Sequence, residues 1–265
     1  MRLTLIITTF NCPKSLVLVL RSIELQTKIP NEVIIADDGS SYETKELILI
    51  FQKDSKLNII HSWQKNKGFR VAKSRNKAIV KSTGDYIVLI DGDMILHPNF
   101  VEDHINNAQP NYFVQGSRVL LSKVKTDKVL NSDRLVFSFF SSGLKNRLNA
   151  IHSNLLSKVF SSKKSLLKSI RSCNMAFYRD DCIAVNGFNN DFKGWGREDS
   201  EFIVRLLNLG INRKTLRFNA LQYHLWHPLS SKDTLYKNDR LLQSTIDKNL
   251  KYCENGINSC IEKNN

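Results

Sequence analysis

Proline and glycine are scarce in this chain of 265 residues, at 5 and 11. That scarcity excludes a collagen-like chain, and 42% hydrophobic with 24% charged residues excludes a coiled coil or a wholly disordered one. Long apolar runs are missing too. Leu16–Leu20 and Ile87–Ile90 are far shorter than the roughly 18 to 20 residues of a membrane span. No Cys-x-x-Cys pair occurs among Cys12, Cys173, Cys182, Cys253 and Cys260. Residues 1–10 hold one Arg, an apolar run broken by Thr8 and Thr9, and no small-residue cleavage site. They read as a first strand, not a signal peptide, so free thiols in a reducing cytoplasm are expected. No repeat of roughly 20 to 50 residues is visible.

Acid is absent from one whole stretch. The net charge is +14, and no Asp or Glu lies between Asp133 and Asp180. That stretch holds Arg134, Lys145, Arg147, Lys158, Lys163, Lys164, Lys168, Arg171 and Arg179, interleaved with apolar residues. It reads as a solvated helical face or a surface for anionic lipid. Nucleic acid ranks below both, because no binding module is recognisable and Ser and Leu dilute the charge.

What is present is an alternation. Leu3–Thr9, Val33–Ala36, Leu57–His61 and Tyr86–Ile90 are short apolar runs, expected as strands. Between them, the helix opened by Pro13, Tyr42–Gln52 and Val71–Lys81 carry helical patterns. Strands alternating with helices predict a doubly wound, mostly parallel α/β sheet with ligands at the carboxyl ends of its strands. Thr8-Thr9, Asp37-Asp38 and Asp91-Gly92-Asp93 all fall at such ends. Farther on, Tyr112–Val119, Asn174–Tyr178 and Asn219–Trp226 are expected strands, 120–170 a helical stretch, and Arg197–Leu209 a helix after Gly194-Trp195-Gly196. A polar tail follows.

Asp91-Gly92-Asp93 is the strongest local signal. Two carboxylates around a residue with no side chain suit a hard divalent cation and let a diphosphate approach the backbone. An ordinary strand-end turn uses the same residues. Glu198-Asp199 supply carboxylates at a helix start, a place also favoured on structural grounds alone. Trp195 suits stacking on a sugar ring or simple hydrophobic anchoring.

The segments Leu5–Asn11, Ala36-Asp37-Asp38-Gly39-Ser40, Gly68 through Ala78, and Gly84-Asp85-Tyr86 leading to Asp91-Gly92-Asp93 together resemble glycosyltransferase family 2. Cys173–Phe177 resembles that family's acceptor-side strand. Phe192–Phe202 resembles the Gly-Trp-Gly-x-Glu-Asp segment of β-1,4-galactosyltransferases and chondroitin-polymerase-type enzymes. Residues 120–170 match nothing in the resemblance.

The resemblance implies an A-type glycosyltransferase fold: a Rossmann-like, mostly parallel sheet with helices on both faces, plus a helical basic insertion and a C-terminal tail. It implies a donor-binding half at 1–105 and an acceptor-binding, catalytic half at 106–228 that includes the basic segment 120–172. A helical tail at 229–265 completes one continuous catalytic domain. The implied reaction is transfer with inversion from a UDP-sugar to a glycan or lipid-linked acceptor, in surface polysaccharide synthesis. Galactose or N-acetylgalactosamine leads, with glucose or N-acetylglucosamine next.

Carried across by position, Thr8, Asp37 or Asp38, and Asp91 line the donor's nucleoside side, and Arg75 approaches its phosphates or holds the pocket's shape. Asp93 holds the metal. Asp199, with Glu198 beside it, supplies the base, and Trp195, Asn174 and Glu198 meet the acceptor. His224 and His227 share the spacing of a Met-x-x-His metal ligand with His in place of Met. Imidazole beside carboxylate favours Mn2+ over Mg2+. The expected setting is the inner face of the cytoplasmic membrane, on anionic lipid. Two rivals are a sugar-phosphate nucleotidyltransferase and a non-catalytic glycan- or nucleic-acid-binding protein. The first wants a glycine-rich first loop that Thr9–Pro13 lacks, and the second leaves Asp91, Asp93, Glu198 and Asp199 without a use.

Overall fold

A computed structural model describes residues 1–132, 135–163, 167, 170–228, 231 and 233–261. Of the basic tract, Arg134, Lys164 and Lys168 lie outside the described residues. The first third alternates as its sequence pattern predicts. Strand β1 (Leu3–Thr9), helix α1 (Pro13–Glu24), β2 (Glu32–Asp37), α2 (Tyr42–Asp54), β3 (Ile59–Trp63), α3 (Val71–Lys81) and β4 (Tyr86–Asp91) follow one another. β5 (Met94–Leu96), α4 (Phe100–Asn107), β6 (Tyr112–Gln115), β7 (Val119–Leu121), α5 (Lys123–Leu130) and β8 (Leu144–Lys145) come next. Then come α6 (Asn154–Phe160), β9 (Asn174–Tyr178), α7 (Arg179–Ala184), α8 (Glu198–Asn208), β10 (Asn212–Thr215), β11 (Gln222–His224), α9 (Leu235–Asp247) and α10 (Asn258–Ile261).

Seven strands form the main sheet in the order β10-β6-β9-β4-β1-β2-β3. β1 runs parallel to β2 and β4, while β9 is antiparallel to both its neighbours, β4 and β6. Side chains alternate across the sheet, so each strand feeds two cores. Leu3, Leu5 and Ile7 of β1 pack with Leu16, Val19 and Leu20 of α1 on one face. Ile6 faces the other way, into a core with Ala78 and Ile79 of α3 and Phe202 and Leu206 of α8. This is the doubly wound arrangement, with helices on both faces. Among the described residues no helix is long and apolar enough to cross a membrane.

A second sheet, β5-β11-β7-β8, covers a third core that contains Leu121, Leu135, Phe137, Leu144 and Tyr223. It corrects three expectations. The stretch 120–170 is not one helical segment: α5 and α6 are separated by β8, a 3-10 turn at Arg147–Ala150 and irregular chain. Leu121, Val129, Leu135, Phe137 and Leu144 bury in the core under the small sheet, at spacings that follow no helical period, and Gly143 and Asn146 take left-handed φ values of 76° and 56°. Tyr112–Val119 splits into β6 and β7, which belong to different sheets. The strand expected over Asn219–Trp226 shrinks to β11, because Phe218 and Ala220 are left-handed.

Candidate active site

Register brings the polar ends of three strands together. Thr8 stands opposite Asp91, and Thr9 opposite Asp37. Thr8 Oγ1 donates to Asp91 Oδ1 at 2.8 Å. Gly92 N donates to the Thr8 carbonyl, and a Cβ at position 92 would stand 2.9 Å from that same oxygen. Glycine is therefore what lets the chain fold tightly over the end of β1 and present Asp93 on the rim.

Asp93 opens the small sheet, and its carbonyl accepts from Leu225 N at 3.0 Å. β11 pairs antiparallel with β5, with His224 opposite Met94. That register carries both histidines to Asp93: His224 Nε2 and His227 Nε2 each lie 3.2 Å from Asp93 Oδ2. His227 Nδ1 is 2.6 Å from the Pro228 carbonyl. A carbonyl only accepts, so His227 Nδ1 carries a proton there and Nε2 is the ring atom turned to the carboxylate. Asp93 Oδ1 is also buried without a hydrogen-bond partner. One ligand atom from each of Asp93, His224 and His227 fits within 4.8 Å of the others, a donor set suited to a divalent cation.

The third wall comes from the start of α8. Gly194, Gly196 and Arg197 have φ values of 73°, 100° and 78°. A Cβ on Gly194 would meet Thr234 Oγ1 at 2.0 Å, so only glycine lets the loop lie against the start of α9. Asn238 of α9 holds this loop by donating to the Gly196 and Lys193 carbonyls. Farther along α8, the buried Arg205 grips Glu201 with two hydrogen bonds of 2.9 and 2.8 Å and donates to the Val185 and Gly187 carbonyls. The helix is thereby locked in place, with Glu198 and Asp199 in its first turn.

Arg75 of α3 links the walls. Its Nη1 donates to Glu198 Oε1 at 3.1 Å, its Nη2 donates to Ser172 Oγ at 2.8 Å and lies 3.6 Å from Asp91 Oδ1. Asp199 Oδ1 accepts from Ser200 N, and Oδ2 accepts from Ser172 N at 3.2 Å. Burial first, and the neighbouring Glu198 carboxylate second, push the Asp199 carboxyl up to about 7.

These groups share one cavity of about 470 Å³, lined by Thr8, Asp38, Arg75, Asp91 and Asp93 from the first part of the chain. Trp195, Glu198, Asp199, His224 and His227 line it from the later part. Two expected residues are not among its lining. Asp37 is fully buried: Oδ1 accepts from Gly39 N and Ser40 N, and Oδ2 pairs with His61 Nε2 at 2.9 Å. It shapes the turn that presents Asp38, whose oxygens take Gln64 Nε2 and Arg70 N. Asn174 is buried as well, donating to the Ser117 and Ala220 carbonyls and meeting His104 Nε2 at 3.0 Å. It joins β9 to the second sheet behind the cavity. Phe10, Phe69, Arg118, Arg171 and Cys173 also line the cavity; Phe10, Phe69 and Cys173 fall inside the segments that carry the resemblance and Arg171 in the basic tract, while no motif contains Arg118.

Residues 156–227 match the model described as "N-terminal domain of galactosyltransferase". A hyaluronan synthase of Pasteurella multocida is 29% identical over 248 residues, and a chondroitin synthase of Escherichia coli is 26% identical over 258. Each match covers 88% of this chain but only 25% and 36% of those proteins, so the chain spans about a quarter to a third of their length. Among solved structures, S. aureus TarS 1–349 superposes with a TM-score of 0.63 at 18% identity, covering 93% of this chain and 65% of that one. The mannosyltransferase PcManGT of Pyrobaculum calidifontis, solved with GDP-Man and Mn2+, gives 0.59 at 17% identity, over 92% and 61%. Both share the A-type fold of this chain. The model of glycosyl transferase family 2 matches residues 4–187, which carry β1 through Asp93 and on to β9, and the chain belongs to that family.

Proposed function

We propose that this chain is an inverting, metal-dependent hexosyltransferase that takes a sugar from a UDP-sugar and adds it to a growing surface glycan, such as a lipopolysaccharide or capsule. Galactose or N-acetylgalactosamine is the favoured sugar. One observation carries the reading. Carboxylates far apart in the chain, Asp91 and Asp93 after β4 and Asp199 at the start of α8, line a single cavity that also holds two imidazoles and an indole. The likeness to two glycosaminoglycan synthases supports a polysaccharide acceptor.

In this reading Asp38 and Thr8 border the nucleoside end, and Asp93, His224 and His227 hold Mn2+. The cation supplies charge stabilisation for the departing diphosphate. Asp199 accepts the proton of the acceptor hydroxyl as that oxygen bonds to the anomeric carbon and the carbon's bond to the diphosphate breaks. A base with a pKa of about 7 is matched to that task near neutrality. Trp195, 42% exposed at the cavity mouth, offers a face for the acceptor sugar. Glu198 positions Arg75. Incubating the enzyme with UDP-galactose, UDP-N-acetylgalactosamine, UDP-glucose and UDP-N-acetylglucosamine, with and without Mn2+, tests the reading. Mn2+-dependent release of UDP from one of them is expected, and no release from any would reject it.

The basic tract is the proposed contact with the inner face of the cytoplasmic membrane. Phe137 and Leu144, which an amphipathic helix would turn to lipid, are buried in the third core instead. The outward apolar groups are others: Phe140 at 86% exposure, Leu155 at 73% and Val159 at 67%, beside the exposed Lys145, Arg147 and Lys158. Exposed apolar side chains in a stretch of sequence with cations and no acid suit anionic headgroups.

A further inference from the structure

Most charged groups of the cavity have a partner within it. Arg75 is shared between Glu198 and Asp91, and Asp93 faces two imidazoles. Arg118 and Arg171 differ. Both line the cavity, and among the described residues neither is ion-paired to a carboxylate. Arg118 Nη1 reaches Cys173 Sγ at 3.8 Å, and its Nε is buried with no hydrogen-bond partner.

Both arginines stand on anchored backbone. The Arg118 carbonyl accepts from Asn149 Nδ2 at 3.1 Å. Gln115 clasps Arg171 from both sides, with Oε1 accepting from its N at 3.1 Å and Nε2 donating to its carbonyl at 2.9 Å. Burial above all pushes the Cys173 thiol up, with Asp91 and Asp93 adding to it and Arg118 and Arg171 opposing it. The two arginines line the same cavity as Asp91 and Asp93, and Cys173, which Arg118 touches, lines it too. A half-buried guanidinium at Arg118 and an exposed one at Arg171, neither paired with a carboxylate among the described residues, describe a place where a ligand supplies the anion. Arginine's planar fork suits two oxygens of one phosphate or carboxylate.

We propose that Arg118 and Arg171 form an oxyanion subsite of this cavity, filled by the diphosphate of the donor or by an acidic group on the acceptor sugar. The proposal rests on the transferase reading. Two guanidiniums closing on one anion add charge-assisted hydrogen bonds, and losing them weakens binding about ten- to a hundredfold.

The test uses the full chain with Arg118→Gln, Arg171→Gln, the double variant, and Arg118→Lys/Arg171→Lys. Calorimetry measures uridine and UDP with Mn2+. Saturation-transfer NMR then compares glucuronate with glucose on the UDP-loaded enzyme. If the subsite takes the diphosphate, UDP affinity falls at least tenfold in the double Gln variant while uridine affinity holds, and the double Lys variant recovers part of it. If it takes an acidic acceptor group, UDP affinity holds. The preference for glucuronate over glucose, present in the wild type, then disappears. Unchanged affinity for UDP and an unchanged response to glucuronate overturn the subsite. Retained uridine binding shows that each variant is folded. A wild-type enzyme that binds neither uridine nor UDP overturns the transferase reading, and the subsite with it.

Discussion

Arg75 and Glu198 are 123 positions apart in the chain, yet their side chains meet at 3.1 Å inside the protein. The same guanidinium stands 3.6 Å from Asp91, so one buried cation ties the end of β4 to the start of α8. Removing one partner of such a buried pair costs about 3–5 kcal/mol. Arg75→Leu is therefore expected to lower unfolding free energy by about that amount in urea titrations. Arg75→Lys keeps the charge but not the fork and should fall in between. A loss below about 1 kcal/mol in Arg75→Leu, the size of a surface pair, would mean that the cation holds nothing together.

Asp93→Ala is expected to abolish Mn2+-dependent UDP binding and leave the melting temperature of the metal-free protein within a few degrees of wild type. The carboxylate sits on the rim and outside all three cores, so truncation empties a ligand position and not a packing position. His227→Ala should weaken Mn2+ binding less, since one carboxylate and one imidazole remain. Calorimetry with Mn2+ and UDP decides it. Unchanged affinity in Asp93→Ala removes this residue from the metal site.

Asp199→Asn should bind donor normally and lose about 10²- to 10⁴-fold in transfer rate. In the wild type, kcat/KM should rise with pH and level off above about 7, because only the deprotonated carboxylate accepts a proton. The stability consequence has the opposite slope. The folded protein holds this proton to higher pH than the unfolded chain, so the stabilisation is full in acid and is lost as pH climbs through about 7. Asp199→Asn should flatten both profiles. More than about a tenth of wild-type activity in the variant would move the base elsewhere, Glu198 being next in line.

Liposome co-sedimentation should show binding to anionic and not to neutral vesicles, weakening as salt rises, since the field is screened within about 8 Å at physiological ionic strength. Arg147→Glu and Lys158→Glu should each reduce binding by several-fold, in line with about 1 kcal/mol per cation. Phe140→Ser should weaken the salt-resistant part. Equal or absent binding to both vesicle types would leave the tract as a solvated face.

The first third of the chain was legible because its pattern is local. Val71–Lys81 has the same bounds as a pattern and as a helix, and Asp91-Gly92-Asp93 stands at the strand end its apolar run announces. What the pattern cannot tell is which way a strand-end side chain turns. Asp37 and Asp38 are adjacent and chemically identical, yet one braces His61 and the other lines the cavity. Asn174 was misplaced for the same reason. Arg118 and Arg171 carry no spacing signal, since they reach the cavity only once β6 and β9 pair. Of the two, only Arg171 belongs to the acid-free tract, and Arg118 lies before it. The stretch 120–170 was illegible because its apolar residues answer to the second sheet, whose other strands lie at positions 94–96 and 222–224.

The antiparallel β9 lies between β4 and β6 in the main sheet. During synthesis, β4 is complete at residue 91, but the strand that caps its open edge does not begin until residue 174. At roughly 5–20 residues per second, that edge waits on the order of 4 to 16 seconds for its neighbour. The apolar β4, already paired on one side with β1, is over that interval a template for strands of other chains. Production at high expression levels and low chaperone supply should therefore lose material to aggregation at this stage, however stable the finished enzyme is.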